Sequence, residues 1–135
     1  MNKLKVLFLS LCLSVAAVAF AAMPQMYFYG STSYERYRVA RLAQSLDFTK
    51  EPMPSPWAIT ILSEDVFNEN LHKFNIETDS AYTILEQQET FLNEYYLVYA
   101  NDAHLKQTIA HEAGHLICEC KSESKANDIA YQLQK

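Results

Sequence analysis

The run His111-Glu112-Ala113-Gly114-His115 decides how the C-terminal part of this 135-residue chain folds. Residues 105–117 predict one α-helix, because apolar side chains recur at helical spacing and Asn101 or Asp102 can cap the first turn. Side chains four residues apart share a helical face, so both imidazoles of the run can reach one metal ion. The run therefore predicts a metal-binding helix.

The residues between the two histidines add chemistry and packing. Glu112 lies beside the first histidine, where its carboxylate can take a proton from water whose pKa Zn²⁺ has lowered. Gly114 costs about 1 kcal/mol relative to alanine inside a helix, which indicates close packing against another element. We therefore predict a zinc site with His111 and His115 as ligands and Glu112 as the catalytic base. The competing interpretation is a pair of histidines that bind no metal.

A third protein ligand must come from outside this helix. Each further helical turn moves a side chain about 5.4 Å along the axis, away from an ion held by the two histidines. Residues 120–122 suit a turn, and Ser122 can cap a second helix over residues 123–133. The favoured candidate for this ligand is Glu123, at the start of the second helix. Asp128, Glu119 and a cysteine remain open as alternatives.

The two strings together resemble a known motif pair. His111-Glu112-x-x-His115 followed by Glu123-Ser124-Lys125-Ala126-Asn127 is similar to the H-E-x-x-H…E-x-x-A-(D/N) pattern of gluzincin metallopeptidases, most of all the short ImmA/IrrE-type members. The resemblance covers residues 81–133. It implies that Glu123 is the third zinc ligand and that Asn127 supports the site.

The resemblance also implies a fold and an activity. The expected fold is α+β and zincin-like, with a small sheet packed on an N-terminal helix and on the histidine helix, while a C-terminal helix carries the third ligand. The expected activity is hydrolysis of a peptide or protein substrate. The alternative is a zinc-binding envelope protein with a structural or partner-binding role and no efficient hydrolysis.

The N-terminal segment has the features of a secretory signal peptide. Lys3 and Lys5 precede an apolar stretch, and Ala19-Phe20-Ala21 fits the small-x-small cleavage rule. We expect residues 1–21 to be removed and residues 22–135 to form one secreted or periplasmic domain. An uncleaved membrane anchor is the alternative.

Charge limits the partners. The chain carries a net charge of −5 at neutral pH, and losing the two lysines of the signal peptide makes it more negative. An acidic protein has no electrostatic reason to bind nucleic acid or an anionic membrane. We expect no nucleic-acid partner and no stable membrane association after cleavage. The sequence leaves the oligomeric state open.

Two cysteines, Cys118 and Cys120, remain after cleavage. Side chains two residues apart in a helix point about 200° apart, which disfavours a disulfide there. We predict one buried and one partly exposed thiol. A bridge formed after the helix has ended is the alternative.

Upstream, a capping box at residues 32–35 predicts a helix to about Leu46, and residues 57–62 predict a buried strand. The helix is expected to have a solvated face that carries Arg36, Arg38 and Arg41.

Residues 81–85 and 90–93 predict two short strands before the histidine helix. Residues 89–94 are the candidate for the sheet edge along the cleft, where an extended substrate could pair through main-chain hydrogen bonds. The alternative is that this strand only completes the sheet. A peptidase also benefits from a donor to the oxyanion of the tetrahedral intermediate. The residues considered for that role are Tyr131, Tyr96, Tyr99 and His104.

Overall fold

The computed structural model describes residues 23–135, so the predicted signal peptide lies outside the described residues. Within that part, the chain is an α+β protein with a mixed four-stranded sheet and five α-helices. In chain order the elements are β1 (Met26–Tyr29), α1 (Ser33–Gln44), β2 (Trp57–Leu62), α2 (Glu64–Phe74), β3 (Ala81–Ile84), β4 (Glu89–Asn93), α3 (Glu94–Tyr99), α4 (Asp102–Cys118) and α5 (Glu123–Leu133).

The sheet has the strand order β1-β2-β4-β3. Strands β1, β2 and β4 run parallel, and β3 lies antiparallel to β4 at one edge. The prediction that residues 89–94 form the edge is wrong, because β4 pairs with β2 on one side and with β3 on the other. The sequence indicates that β3 and β4 are neighbours. Which of the two pairs with β2 depends on contacts between residues that are far apart in the sequence.

Helices cover both faces of the sheet. On one face, Trp57 and Leu92 belong to a single hydrophobic cluster with residues of α1, α4 and α5. On the other face, Phe67 of α2 packs against Tyr82, with ring centroids 5.3 Å apart, and Tyr82 stacks on Phe91 at 5.1 Å. Successive strand residues point to opposite faces, which is why Phe91 and Leu92 enter different layers.

Arg38 and Arg41 of α1 hold the helix to the start of α4. Arg38 donates to the carbonyl of Ala100 at 2.6 Å and to the carboxylate of Asp102 at 2.9 Å. Arg41 donates to the same carboxylate, and these two hydrogen bonds hold the pKa of Asp102 below its usual range. The prediction of a solvated arginine face is wrong for Arg38, whose side chain is only 13% exposed. Its partners lie about 60 residues away in the sequence, so no local pattern reveals them.

Helices α4 and α5 approach each other closely at Gly114. A Cβ atom added there would lie 2.5 Å from the carbonyl oxygen of Ala126 and 2.9 Å from its Cα. Both of those atoms are backbone, so they cannot move aside without shifting α5. The close packing predicted from this glycine is therefore present, and it sets the distance between the two helices.

We expect Gly114→Ala to destabilise the protein by about 1–3 kcal/mol, the usual cost of overpacking. The change would otherwise stabilise the helix by about 1 kcal/mol, so the sign of the effect tests the contact. Chemical denaturation of both proteins measures it. Gly30→Ala is the comparison outside the helices, because the three atoms nearest to its Cβ would all be side-chain atoms, two of Ile61 at 3.0 and 3.2 Å and one of Arg36 at 3.4 Å. A Gly114→Ala protein at least as stable as the parent would contradict the packing described.

Candidate metal centre

Helix α4 presents the two histidines of the motif on one face. The helix begins after Asn101, whose side chain accepts a hydrogen bond from the backbone N–H of His104 at 2.8 Å. His111 and His115 follow one turn apart. Their rings meet edge to face with centroids 4.7 Å apart, and their Nε2 atoms are 3.1 Å apart. Both Nε2 atoms therefore point to the same place.

Helix α5 brings a carboxylate to that place. The chain reverses through Glu119, which has a φ of 50°, and Ser122 caps α5 by accepting from the N–H of Lys125. In the first turn of α5, Glu123 places its two carboxylate oxygens 2.7 Å from His111 Nε2 and 3.3 Å from His115 Nε2. The ligand atoms of these three residues all lie within 4.8 Å of one another.

The other acidic residues considered as a third ligand are not part of the cluster. Among the described residues, the only group of three or more side chains with metal-ligand spacing is His111, His115 and Glu123. Glu119 and Asp128 are exposed and lie outside it.

The cysteines are joined to each other, so the prediction of two free thiols is wrong. Cys118 and Cys120 form a disulfide, with Cα atoms 5.1 Å apart. Helix α4 ends at Cys118, and the left-handed conformation of Glu119 turns the chain so that both side chains meet. The argument against a disulfide assumes helical geometry at both cysteines, and Cys120 lies beyond the end of α4. A bridged cysteine is not available as a thiolate ligand.

The far side of each imidazole is held by a hydrogen bond. Nδ1 of His115 lies 2.9 Å from the carbonyl oxygen of Cys120, and Nδ1 of His111 lies 2.7 Å from Oδ1 of Asn127. Such partners fix ring orientation and tautomer in histidine–metal sites. The Asn127 side chain thus contacts His111, one of the two predicted histidine ligands. The disulfide closes the turn that carries the Cys120 carbonyl.

The chemistry of these donors fits a cation. A carbonyl only accepts, so Nδ1 of His115 must carry a hydrogen, and Nε2 of the neutral ring then carries a lone pair. That lone pair lies near His111 Nε2 and a carboxylate oxygen of Glu123. Electron-rich atoms at these distances repel unless a positive charge lies among them. A proton would satisfy one such contact, whereas a metal ion would satisfy all of them. Two imidazoles and one carboxylate are a ligand set that zinc hydrolases use.

Glu112 lies next to this cluster and contacts the sheet. Its side chain is buried, and Oε2 accepts a hydrogen bond from the hydroxyl of Thr83 on β3 at 2.7 Å. Burial raises the pKa of Glu112 above its usual range, while the Thr83 hydroxyl and the two imidazoles act in the opposite direction. The negative charge of Glu123 adds to the rise. The carboxylate is thus in a site where its affinity for a proton is increased.

Glu112 and the cluster open into one cleft of about 840 Å³. Its walls are β3, the loop before β3, the turn after β3, and α4 with the start of α5. Residues Ala81 to Ile84 of the edge strand all line it. The cleft is therefore bounded by a strand that, within residues 23–135, has a pairing partner on one side only.

None of the four residues considered as an oxyanion donor lines this cleft. The hydroxyl of Tyr96 lies 2.8 Å from that of Thr108, while Tyr99 and Tyr131 are exposed. Sequence reasoning also missed Thr83, which contacts Glu112. The signal that could have indicated it is the alternation of β3, since Ala81 and Thr83 share the face toward α4.

Comparisons with protein-family models, with curated proteins and with solved structures give no significant match to this chain. No helix within residues 23–135 is both long and apolar enough to cross a membrane.

Proposed function

We propose that this protein is a secreted zinc-dependent peptidase with a zincin-like fold of the gluzincin type. One observation carries the proposal: His111, His115 and Glu123 converge within metal-ligand distance in the cleft that also holds the buried Glu112. A carboxylate beside a three-ligand site has a use in hydrolysis and none in a purely structural site. Secretion is supported by the sequence pattern of residues 1–21.

The roles of the residues follow from their positions. His111, His115 and Glu123 would hold the ion, and a bound Zn²⁺ supplies Lewis-acid polarisation of the substrate carbonyl and acidifies water. Glu112 takes the proton of the attacking water and then delivers it to the leaving amine. Burial suits Glu112 to this exchange, because it raises the carboxylate's affinity for a proton.

The edge strand β3 supports an extended peptide as substrate. Among the described residues β3 pairs only with β4, and all four of its residues line the cleft. A peptide laid beside it can form main-chain hydrogen bonds with the free edge, whatever its side chains. Such binding would place a substrate carbonyl next to the cluster on α4.

The alternative function, a zinc-binding protein without efficient hydrolysis, has one observation in its favour. Glu123 links the first turn of α5 to the middle of α4, so an ion there would also clasp the two helices. In that case the metal would contribute to folding rather than to catalysis.

The test combines metal analysis with an unbiased peptide digest by the protein purified from the exported fraction. We expect about one zinc per chain and cleavage of a subset of library peptides, with both lost on chelation and restored by added Zn²⁺. Zinc without any cleavage would support the clasp. Absence of zinc from a protein that also fails to take up the ion would overturn both functions.

A further inference from the structure

Glu112 is the last member of a chain of hydrogen bonds that crosses the sheet. The Thr83 hydroxyl oxygen lies 2.7 Å from Glu112 Oε2 and 2.9 Å from the hydroxyl oxygen of Thr90. Thr90 in turn accepts from the indole N–H of Trp57 at 3.0 Å. Three strands, β2, β4 and β3, thus contribute one side chain each to a chain that ends on α4.

The members of this chain are fixed by register and burial. Thr83 and Thr90 are directly opposite each other in the antiparallel pair of β3 and β4. Thr90 and Trp57 are fully buried, and the Trp57 ring packs edge-on against Phe48 in the core. The hydrogen-bond chain is therefore anchored in the buried core, and only Thr83 and Glu112 line the cleft.

Only one direction of donation satisfies every member when Glu112 is a carboxylate. An indole N–H only donates and a carboxylate only accepts, so Trp57 donates to Thr90, Thr90 to Thr83, and Thr83 to Glu112. If Thr83 instead donated to Thr90, Thr90 would accept from both Trp57 and Thr83. The hydroxyl hydrogen of Thr90 would then lie in fully buried surroundings without an acceptor. A buried unpaired donor costs about 1–3 kcal/mol. The hydroxyl hydrogen of Thr83 therefore points toward Glu112.

We propose that Thr83 is a positioning residue for Glu112 and that Trp57, through Thr90, sets the direction in which Thr83 donates. This inference rests on the proposed peptidase function. Thr83 holds Oε2 of Glu112, which leaves Oε1 as the oxygen that meets water in the cleft. Because Thr83 belongs to the edge strand, the strand expected to bind the substrate also sets the orientation of the base.

The kinetic test is Thr83→Val, which keeps the shape of the side chain and removes the donor. We expect kcat to fall roughly 10- to 100-fold, the usual cost of losing a supporting hydrogen bond at a metal site, with KM and zinc content unchanged. Thr83→Ser restores the hydroxyl and should recover most of kcat. A large KM change with kcat retained would instead indicate that Thr83 binds substrate, and would overturn the proposal.

A matched control exists on the opposite face of the sheet. Thr60 of β2 donates to Oε2 of Glu89 at 2.8 Å, and neither residue lines the cleft. Thr60→Val makes the same change to a threonine–glutamate pair, and we expect it to leave kcat unaltered. An equal loss of kcat in both variants would show that the effect comes from general damage to the sheet.

The effect of Thr83 should act through Glu112. In a Glu112→Gln background, Thr83→Val should cost much less than in the parent, because the base that Thr83 orients has already been removed. Full additivity of the two substitutions would contradict the positioning role.

A structural measurement separates this inference from the proposed function. High-resolution crystal structures should show one orientation of the Glu112 carboxylate in the parent and in Thr83→Ser, and several orientations in Thr83→Val. A single unchanged orientation in Thr83→Val would overturn the positioning role whether or not the protein cleaves peptides. If the parent cleaves no peptide but the orientation does change, the peptidase proposal fails and the positioning of Glu112 stands.

Discussion

Replacing Glu112 with glutamine is expected to lower kcat for peptide hydrolysis roughly 10²- to 10⁴-fold while the protein keeps its zinc. Glutamine preserves the shape of the side chain and can still accept from Thr83, so the local structure should remain. It cannot take the proton of the attacking water. Because the substitution also removes a buried charge, we expect no loss of folding stability. Steady-state kinetics, zinc analysis and thermal unfolding of the same preparation measure all three properties.

Glu119→Gln is the control for this experiment. Glu119 lies one residue beyond the end of α4, is exposed, and takes no part in the cluster. The substitution is chemically the same, so we expect unaltered kcat. Unchanged cleavage in Glu112→Gln would mean that the activity belongs to another site or to a contaminant. Loss of zinc in Glu112→Gln would mean that Glu112 is itself a ligand.

The local features of the fold could be predicted from the sequence. The Thr32 cap is confirmed, since its hydroxyl accepts from the N–H of Glu35 at 3.1 Å. The helix predicted over residues 123–133 is observed with those bounds. Caps, apolar spacing and turn residues act over a few positions, so a single sequence contains the information.

Features that depend on pairing between segments far apart in the sequence could not be predicted from it. Which strand forms the edge beside α4 is decided by the pairing of β2 with β4 rather than with β3. The contact of Thr83 with Glu112 depends on that pairing and on the position of α4 over the sheet. The alternation of polar and apolar residues in β3 and β4 would be the same whether β2 paired with β3 or with β4.

The disulfide was predicted only as the alternative to two free thiols, for a different reason. Its formation depends on where α4 ends, and the residue that ends it, Glu119, adopts a left-handed conformation usually taken by glycine or asparagine. The helix predicted over residues 105–117 and the turn predicted over residues 120–122 leave residues 118 and 119 unassigned, and neither pattern indicates the left-handed residue that brings the two cysteine side chains together. The carbonyl of Cys120, which accepts from His115, is therefore also missing from a sequence-based description of the site.

Glu123→Gln tests the ligand set, and its expected effect is a loss of zinc affinity. We expect the loss to exceed the roughly 10- to 100-fold that changes in supporting residues cost, because a directly bound oxygen becomes a weaker donor. Asn127→Ala, which removes only the partner of His111 Nδ1, should fall within that smaller range. Competition with a chromophoric chelator measures each affinity.

Asp128→Asn and Glu119→Gln are the matched controls, since both are exposed acidic residues near the site and outside the cluster. If either abolishes zinc binding while Glu123→Gln does not, the third ligand has been assigned to the wrong residue. The ion would also join α5 to α4, so zinc should raise the melting temperature of the parent. A 100-fold excess over Kd corresponds to about 2.7 kcal/mol. Glu123→Gln should lose most of that rise, whereas the two controls should keep it, because in the proposed site Glu123 is the ligand from α5 that would connect the helices through the metal.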